Sequence, residues 1–190
     1  SMLTLIFILV GILSLNIING ILGKIIFLIC LQFSYVIDCS DGVVARISNK
    51  SSSFGAYLDI TLDRLNIFLV FLGLGIYLNS VEPFDEFSLI LFILSSMFYF
   101  HYQIMALLRK HYFSELDGFM KSNTSNSYLR KVVRLIYEFI DTGIFFFILS
   151  LSVFMNFVLE IVIFYGFIGF MLSTAMYIFL YKTSKYENRS

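Results

Sequence analysis

Polar positions are sparse along this chain, and where they gather they divide it into long apolar runs. Each run is about the length a helix needs to cross a bilayer, some twenty residues. Six such spans are predicted, at roughly 3–19, 22–45, 56–79, 87–108, 132–157 and 160–181. Gly20 and the Gly23–Lys24 pair break the first two apart, as chain breakers do. The segment NSVEPFDEF separates the third from the fourth, and RKHYFSELDGFMKSNTSNSYLRK separates the fourth from the fifth. A turn at 157–160 is expected between the last two. No internal repeat and no low-complexity tract is present beyond the Ser51–Ser53 run, and no loop is long enough to form a soluble domain. The pattern predicts an all-α integral membrane protein of six transmembrane helices, with residues 1–190 forming a single domain.

Composition sharpens this picture. Charged residues make up 14% of the chain, against roughly a quarter in soluble proteins. Phe contributes 23 residues and Tyr 12, and mean hydropathy is +0.88. A soluble fold has no interior large enough for that much apolar surface. The net charge of zero is uninformative, but its distribution is not. Lys and Arg gather at Arg46 and Lys50, at Arg109, Lys110, Lys121, Arg130, Lys131 and Arg134, and at Lys182, Lys185 and Arg189. The 79–87 and 157–160 segments hold none, and only Lys24 falls on their side. The positive-inside rule then puts both termini and the 46–55 and 109–134 loops in the cytoplasm. Cys30 and Cys39 lie in apolar surroundings and offer no disulfide framework. The leading run has neither a basic flank nor a small-residue cleavage site, so it reads as a span rather than a signal peptide.

One stretch contradicts the oily character of the rest. DCSDGVVARISNKSSSFGAYLDITLDR, residues 38–64, carries four aspartates, and carboxylates are costly at membrane depth unless a cation or water offsets them. Asp38, Asp41, Gly42, Ala45 and Arg46 are spaced 3, 1, 3 and 1, which forms one stripe on a helix. Gly55, Asp59 and Asp63 are spaced 4 and 4, a second stripe on the next helix. A short polar link makes the two helices antiparallel neighbours, with their acidic stripes facing each other at the cytoplasmic ends of helices 2 and 3. Such a site suits Mg²⁺ or Mn²⁺, which prefer carboxylate oxygens and hold substrate phosphates. Four carboxylates are enough for two ions, acting as Lewis acids on a phosphoryl group. Gly42 and Gly55 let a base or phosphate approach the backbone, and Arg46 is placed to pair with a diphosphate.

The pattern D-x2-D-G-x2-A-R-x8-G-x3-D-x3-D resembles the signature of the CDP-alcohol phosphotransferase (CDP-alcohol phosphatidyltransferase) family at all eight fixed positions: Asp38, Asp41, Gly42, Ala45, Arg46, Gly55, Asp59 and Asp63. The resemblance implies transfer of a substituted phosphate from a CDP-linked donor, such as CDP-diacylglycerol, to an alcohol acceptor, with release of CMP, in phospholipid biosynthesis. One of the two substrates is then a lipid, and nucleic acid is not a partner. By position, Asp38, Asp41 and Asp59 bind the first metal, and Asp38, Asp59 and Asp63 the second. Asp63 also serves as the general base. Gly42, Ala45 and Gly55 border the cytidine, Arg46 holds the diphosphate and Ser52 touches the nucleotide. The family also implies a homodimer. Its N-x-x-T element before the first span is matched by Thr4 alone, since the Asn position falls on Ser1. The opening Ser1–Met2 therefore reads as a cloning remnant and the N-terminus as truncated within a nucleotide-binding element.

Outside that stretch the readings are plainer. RKVVRL, with Lys131 and Arg134, is either an anchor for lipid headgroups or an acceptor-phosphate pocket. Arg134, Glu138 and Asp141 share a helix face, as an internal ion-paired ladder or as the polar wall of an acceptor cavity. His101 is expected to be a hydrogen-bonded interior residue, and the Phe145–Phe147 run to be packing or lipid-facing bulk. Two alternatives fit the composition less well. A polyprenyltransferase with an Asp-rich Mg²⁺ site needs two distant acidic elements and about nine spans, and a cation transporter needs no glycines at these intervals.

Overall fold

The computed structural model describes residues 2–47, 53–112 and 142–187. Among these the chain forms six helices and no strand: α1 (Met2–Ile17), α2 (Ile21–Ile47), α3 (Ser53–Val81), α4 (Glu86–Tyr112), α5 (Thr142–Met155) and α6 (Val158–Glu187). Within them, Ile21–Asp41, Tyr57–Val81, Glu86–Leu107 and Val158–Ile178 are each long and apolar enough to cross a membrane. Met2–Ile17 and Gly143–Met155 are shorter apolar helices, and residues 132–141 of the predicted fifth span lie outside the described residues. Large apolar side chains such as Ile6, Ile17, Phe33, Phe68 and Phe147 are exposed, as suits helices in contact with lipid.

The helix breaks have local causes. Between α1 and α2, Gly20 adopts φ +85, a left-handed conformation that glycine enters without a Cβ penalty. Helix α2 then starts at Ile21, so Gly23 and Lys24 lie in its first turn rather than in the break predicted for them. Before α4, the Asp85 carboxylate accepts the Ser88 backbone N–H at 3.1 Å, which caps the helix. Hydrogen bonds from the Ser88 hydroxyl and backbone hold that carboxyl below its usual range. The last break falls at Asn156–Phe157, with Asn156 at φ 58, and Glu160 sits in the first turn of α6 instead of in a turn.

Two compact units emerge, Ser1–Leu89 with Ile140–Ile161, and Ile90–Phe139 with Val162–Ser190. In the first, α1 packs on α2 and α3, and α2 packs on α5. Asn16 donates to the Gly73 carbonyl at 3.2 Å, Gln32 donates to Ser150 at 3.4 Å, and Phe71 meets Phe145 with ring centroids 5.8 Å apart. Phe145 and Phe146 are buried and Phe147 is exposed, so the Phe run divides between packing and lipid-facing positions. At one end of this unit, Tyr77, Glu82, Asp85, Ser88, Asn156 and Glu160 help line a cleft of about 380 Å³. Lys24 donates to Asn156 at 2.9 Å. The two Lys-poor turns and Lys24 thus share one end of the unit, as the charge pattern predicts.

In the second unit the contacts run between α4 and α6. Tyr99 meets Tyr165 edge-on at 5.8 Å, and Phe98 lies 5.0 Å from Phe170. His101 is half-buried, stacked on Tyr177, with Nε2 3.3 Å from the Tyr177 hydroxyl, in keeping with the hydrogen-bonded role expected of it. Small residues allow this close approach, as is common between membrane helices. A Cβ added at Gly166 would lie 2.7 Å from the Ser95 carbonyl oxygen, a contact that only a backbone shift relieves. Gly166→Ala is therefore expected to destabilise the protein by about 1–3 kcal/mol, the usual cost of overpacking. A thermal melt in detergent checks this, and an unchanged midpoint would mean that the helices part freely.

Candidate metal centre

The acidic residues reach one another because α2 and α3 each carry them on a single stripe near the ends that flank residues 48–52. Asp38 lies nine residues before the end of α2, and Asp59 and Asp63 lie one turn apart in the first half of α3. Carboxylate oxygens from these three residues all fall within 4.8 Å of one another. Asp38 and Asp63 are half-buried and Asp59 is exposed, so the cluster opens to the outside along one edge.

Three like charges this close oppose one another. At 4.8 Å each pair repels by on the order of 1–3 kcal/mol, between the dielectric of water and that of a protein surface. A divalent cation among them converts repulsion into attraction. The donor set also fits: Mg²⁺ holds oxygens at 2.0–2.1 Å, so opposite ligands of one ion are about 4.2 Å apart. Adjacent ligands are about 2.9 Å apart, and three oxygens on one ion include at least two adjacent pairs, so the trio would close by up to about 2 Å through side-chain rotation around a single ion. All-oxygen, anionic coordination selects hard cations, and ions held this way polarise phosphoryl oxygens.

The remaining predicted site residues fall partly within the described residues and partly outside them. Asp41, one turn beyond Asp38, is exposed and stands outside the trio. Gly42, Ala45 and Arg46 are carried on the closing turns of α2. Gly55 is exposed, one turn ahead of Asp59 on α3. Ser52, Lys131 and Arg134 lie outside the described residues, as do Glu138 and Asp141. Thr4 is buried, and its hydroxyl accepts a hydrogen bond from Asn66 Nδ2 at 3.2 Å.

Asn66 is the residue that sequence reasoning missed. It follows Asp63 by three positions and so shares its side of α3. The available signal was a carboxamide in the apolar run LNIFLVFL, where an unpaired amide is costly.

Neither the curated proteins nor the solved structures yield a match to this chain. The family model for CDP-alcohol phosphatidyltransferases does match, over residues 1–177 of 190. That family is membrane-embedded and typically depends on divalent cations, which agrees with the apolar helices and with a carboxylate trio able to hold a metal. With nearly its whole length and its acidic stretch accounted for in this way, the chain belongs to the CDP-alcohol phosphatidyltransferase family.

Proposed function

We propose that this protein transfers a substituted phosphate from a CDP-linked donor, such as CDP-diacylglycerol, to an alcohol acceptor and releases CMP, as a step in phospholipid biosynthesis. The observation that carries this reading is the convergence of Asp38, Asp59 and Asp63 from two helices to within 4.8 Å. Family membership supplies the reaction class. Two divalent cations, Mg²⁺ or Mn²⁺, when bound by Asp38, Asp41, Asp59 and Asp63, neutralise the diphosphate and stabilise the charge on departing CMP.

The chain's own residues do the rest. Asp63 takes the proton from the acceptor hydroxyl as the alcohol oxygen bonds to the donor phosphorus, and the diphosphate P–O bond breaks toward CMP. An alcohol is a poor nucleophile at neutral pH, so a base within hydrogen-bond reach is what makes this attack feasible. Arg46 holds the diphosphate through paired N–H donors, while Gly42, Ala45 and Gly55 leave room beside the cytidine and Ser52 touches it. Lys131 and Arg134 supply positive charge to an acceptor or to lipid headgroups.

In this reading the single domain crosses the membrane six times, with both termini and the acidic centre on the cytoplasmic side, where CDP-linked donors are found. The Lys and Arg distribution supports that orientation. The test is direct. Purified protein in detergent is given CDP-diacylglycerol or CDP-choline, Mg²⁺ or Mn²⁺, and a panel of alcohols, and CMP is quantified. CMP should accumulate only with an alcohol and a divalent cation both present. Absence of CMP from every donor–acceptor pair would overturn the proposal.

A further inference from the structure

The opening turns of α1 touch both helices that carry the acidic trio. Phe7 stacks on Phe33 of α2, ring centroids 6.1 Å apart and planes 15° apart, five residues ahead of Asp38. Thr4, one turn earlier on α1, accepts the Asn66 Nδ2 hydrogen bond at 3.2 Å, three residues past Asp63. Thr4 is 1% exposed and Asn66 5%, and Asn66 Oδ1 has no hydrogen-bond partner among the described residues. An apolar pair would fill this space at lower cost, since a buried carboxamide loses water on every polar atom and regains only part of it here. What a hydrogen bond adds over apolar packing is direction, which fixes how α3 is rotated and how far it slides along α1. A second α1–α3 polar contact, Asn16 to the Gly73 carbonyl, lies seven residues further along α3 from Asn66.

We infer that the buried Thr4–Asn66 hydrogen bond, together with the Phe7–Phe33 stack, sets the gap between α2 and α3 at the three carboxylates. Thr4 and Asn66 are then positioning residues for the divalent cation, with Thr4 acting on the metal ligands through α3. On α3, Asn66 and Asp63 are neighbours on one face. A rotation that breaks the Thr4 bond therefore swings Asp63 and Asp59 away from Asp38. This inference rests on the metal-dependent reading above.

The test is Mn²⁺ binding by the purified protein in detergent without nucleotide, followed by electron paramagnetic resonance, with donor KM measured separately at saturating Mn²⁺. Thr4→Val and Asn66→Leu are each expected to raise the Mn²⁺ Kd about tenfold, while Thr4→Ser stays within about twofold, as outer partners of metal ligands behave. Donor KM at saturating Mn²⁺ should stay at the wild-type value in Asn66→Leu, which lies outside the nucleotide-binding element. If either single variant melts, the T4V/N66L protein carries the test, because it removes donor and acceptor of the Thr4–Asn66 hydrogen bond together, and weakened Mn²⁺ binding is again expected. Wild-type Mn²⁺ affinity in Thr4→Val, with or without a raised donor KM, would overturn the inference while leaving the metal centre in place. Failure of the wild-type protein to bind Mn²⁺ would remove the inference and the metal-dependent reading together.

Discussion

Asp63→Asn is expected to cut CMP release by about 10²–10⁴-fold, the range that a positioned general base contributes. The two side chains have nearly the same shape, and Asp63 is half-buried within α3, so the amide can occupy the same space. It cannot accept the acceptor's proton. It also removes one of three charges gathered within 4.8 Å, so part of the loss should come from weaker metal binding. Measuring at saturating Mn²⁺ separates the two effects: restored occupancy corrects the binding part and leaves the proton-transfer part untouched. The expected result is a kcat that stays low at every Mn²⁺ concentration, with a donor KM that returns toward wild type. A kcat within a few-fold of wild type would assign the base to another group.

What the chain's pattern revealed and what it concealed divide along the line between local and distant interactions. The α3–α4 break and the turn at Gly20 follow from residues within a few positions of each other, and the structure places them where the pattern does. The acidic stripes are equally local, because helical spacing of 3 and 4 is enough to align Asp38 with Asp41, and Asp59 with Asp63. Which carboxylates meet across the gap is not local. Asp41 shares its stripe with Asp38, yet among the described residues the trio forms from Asp38, Asp59 and Asp63. Thr4 and Asn66 stand 62 positions apart, and nothing near either names the other. The second span is expected to start near 22 and α2 starts at Ile21, but the break itself is narrower than the glycine pattern suggests. Gly23 reads as a breaker in isolation, but the reversal is completed at Gly20, and Gly23 lies inside the helix that follows.

Asp59→Asn provides the second large effect, and its value is that binding and stability should move in different ways. Asp59 is exposed, so its loss leaves no cavity. In metal-free protein the substitution relieves repulsion from Asp38 and Asp63, and the thermal midpoint is expected to hold or rise. Losing a full negative charge at ligand distance should weaken Mn²⁺ binding by on the order of a hundredfold, about 2.7 kcal/mol. A ligand that binds only the folded state stabilises it by RT ln(1 + [L]/Kd), about 2.7 kcal/mol at one hundred times Kd. Mn²⁺ at that concentration should therefore raise the melting midpoint of the wild-type protein. In Asp59→Asn the same Mn²⁺ is only about equal to the new Kd, and the gain shrinks to about 0.4 kcal/mol. Circular dichroism melts of both proteins, with and without Mn²⁺, give the four midpoints required. Equal Mn²⁺-induced shifts would show that the cation binds elsewhere. A metal-free Asp59→Asn protein less stable than wild type would show that the three carboxylates do not repel one another in the way their spacing demands.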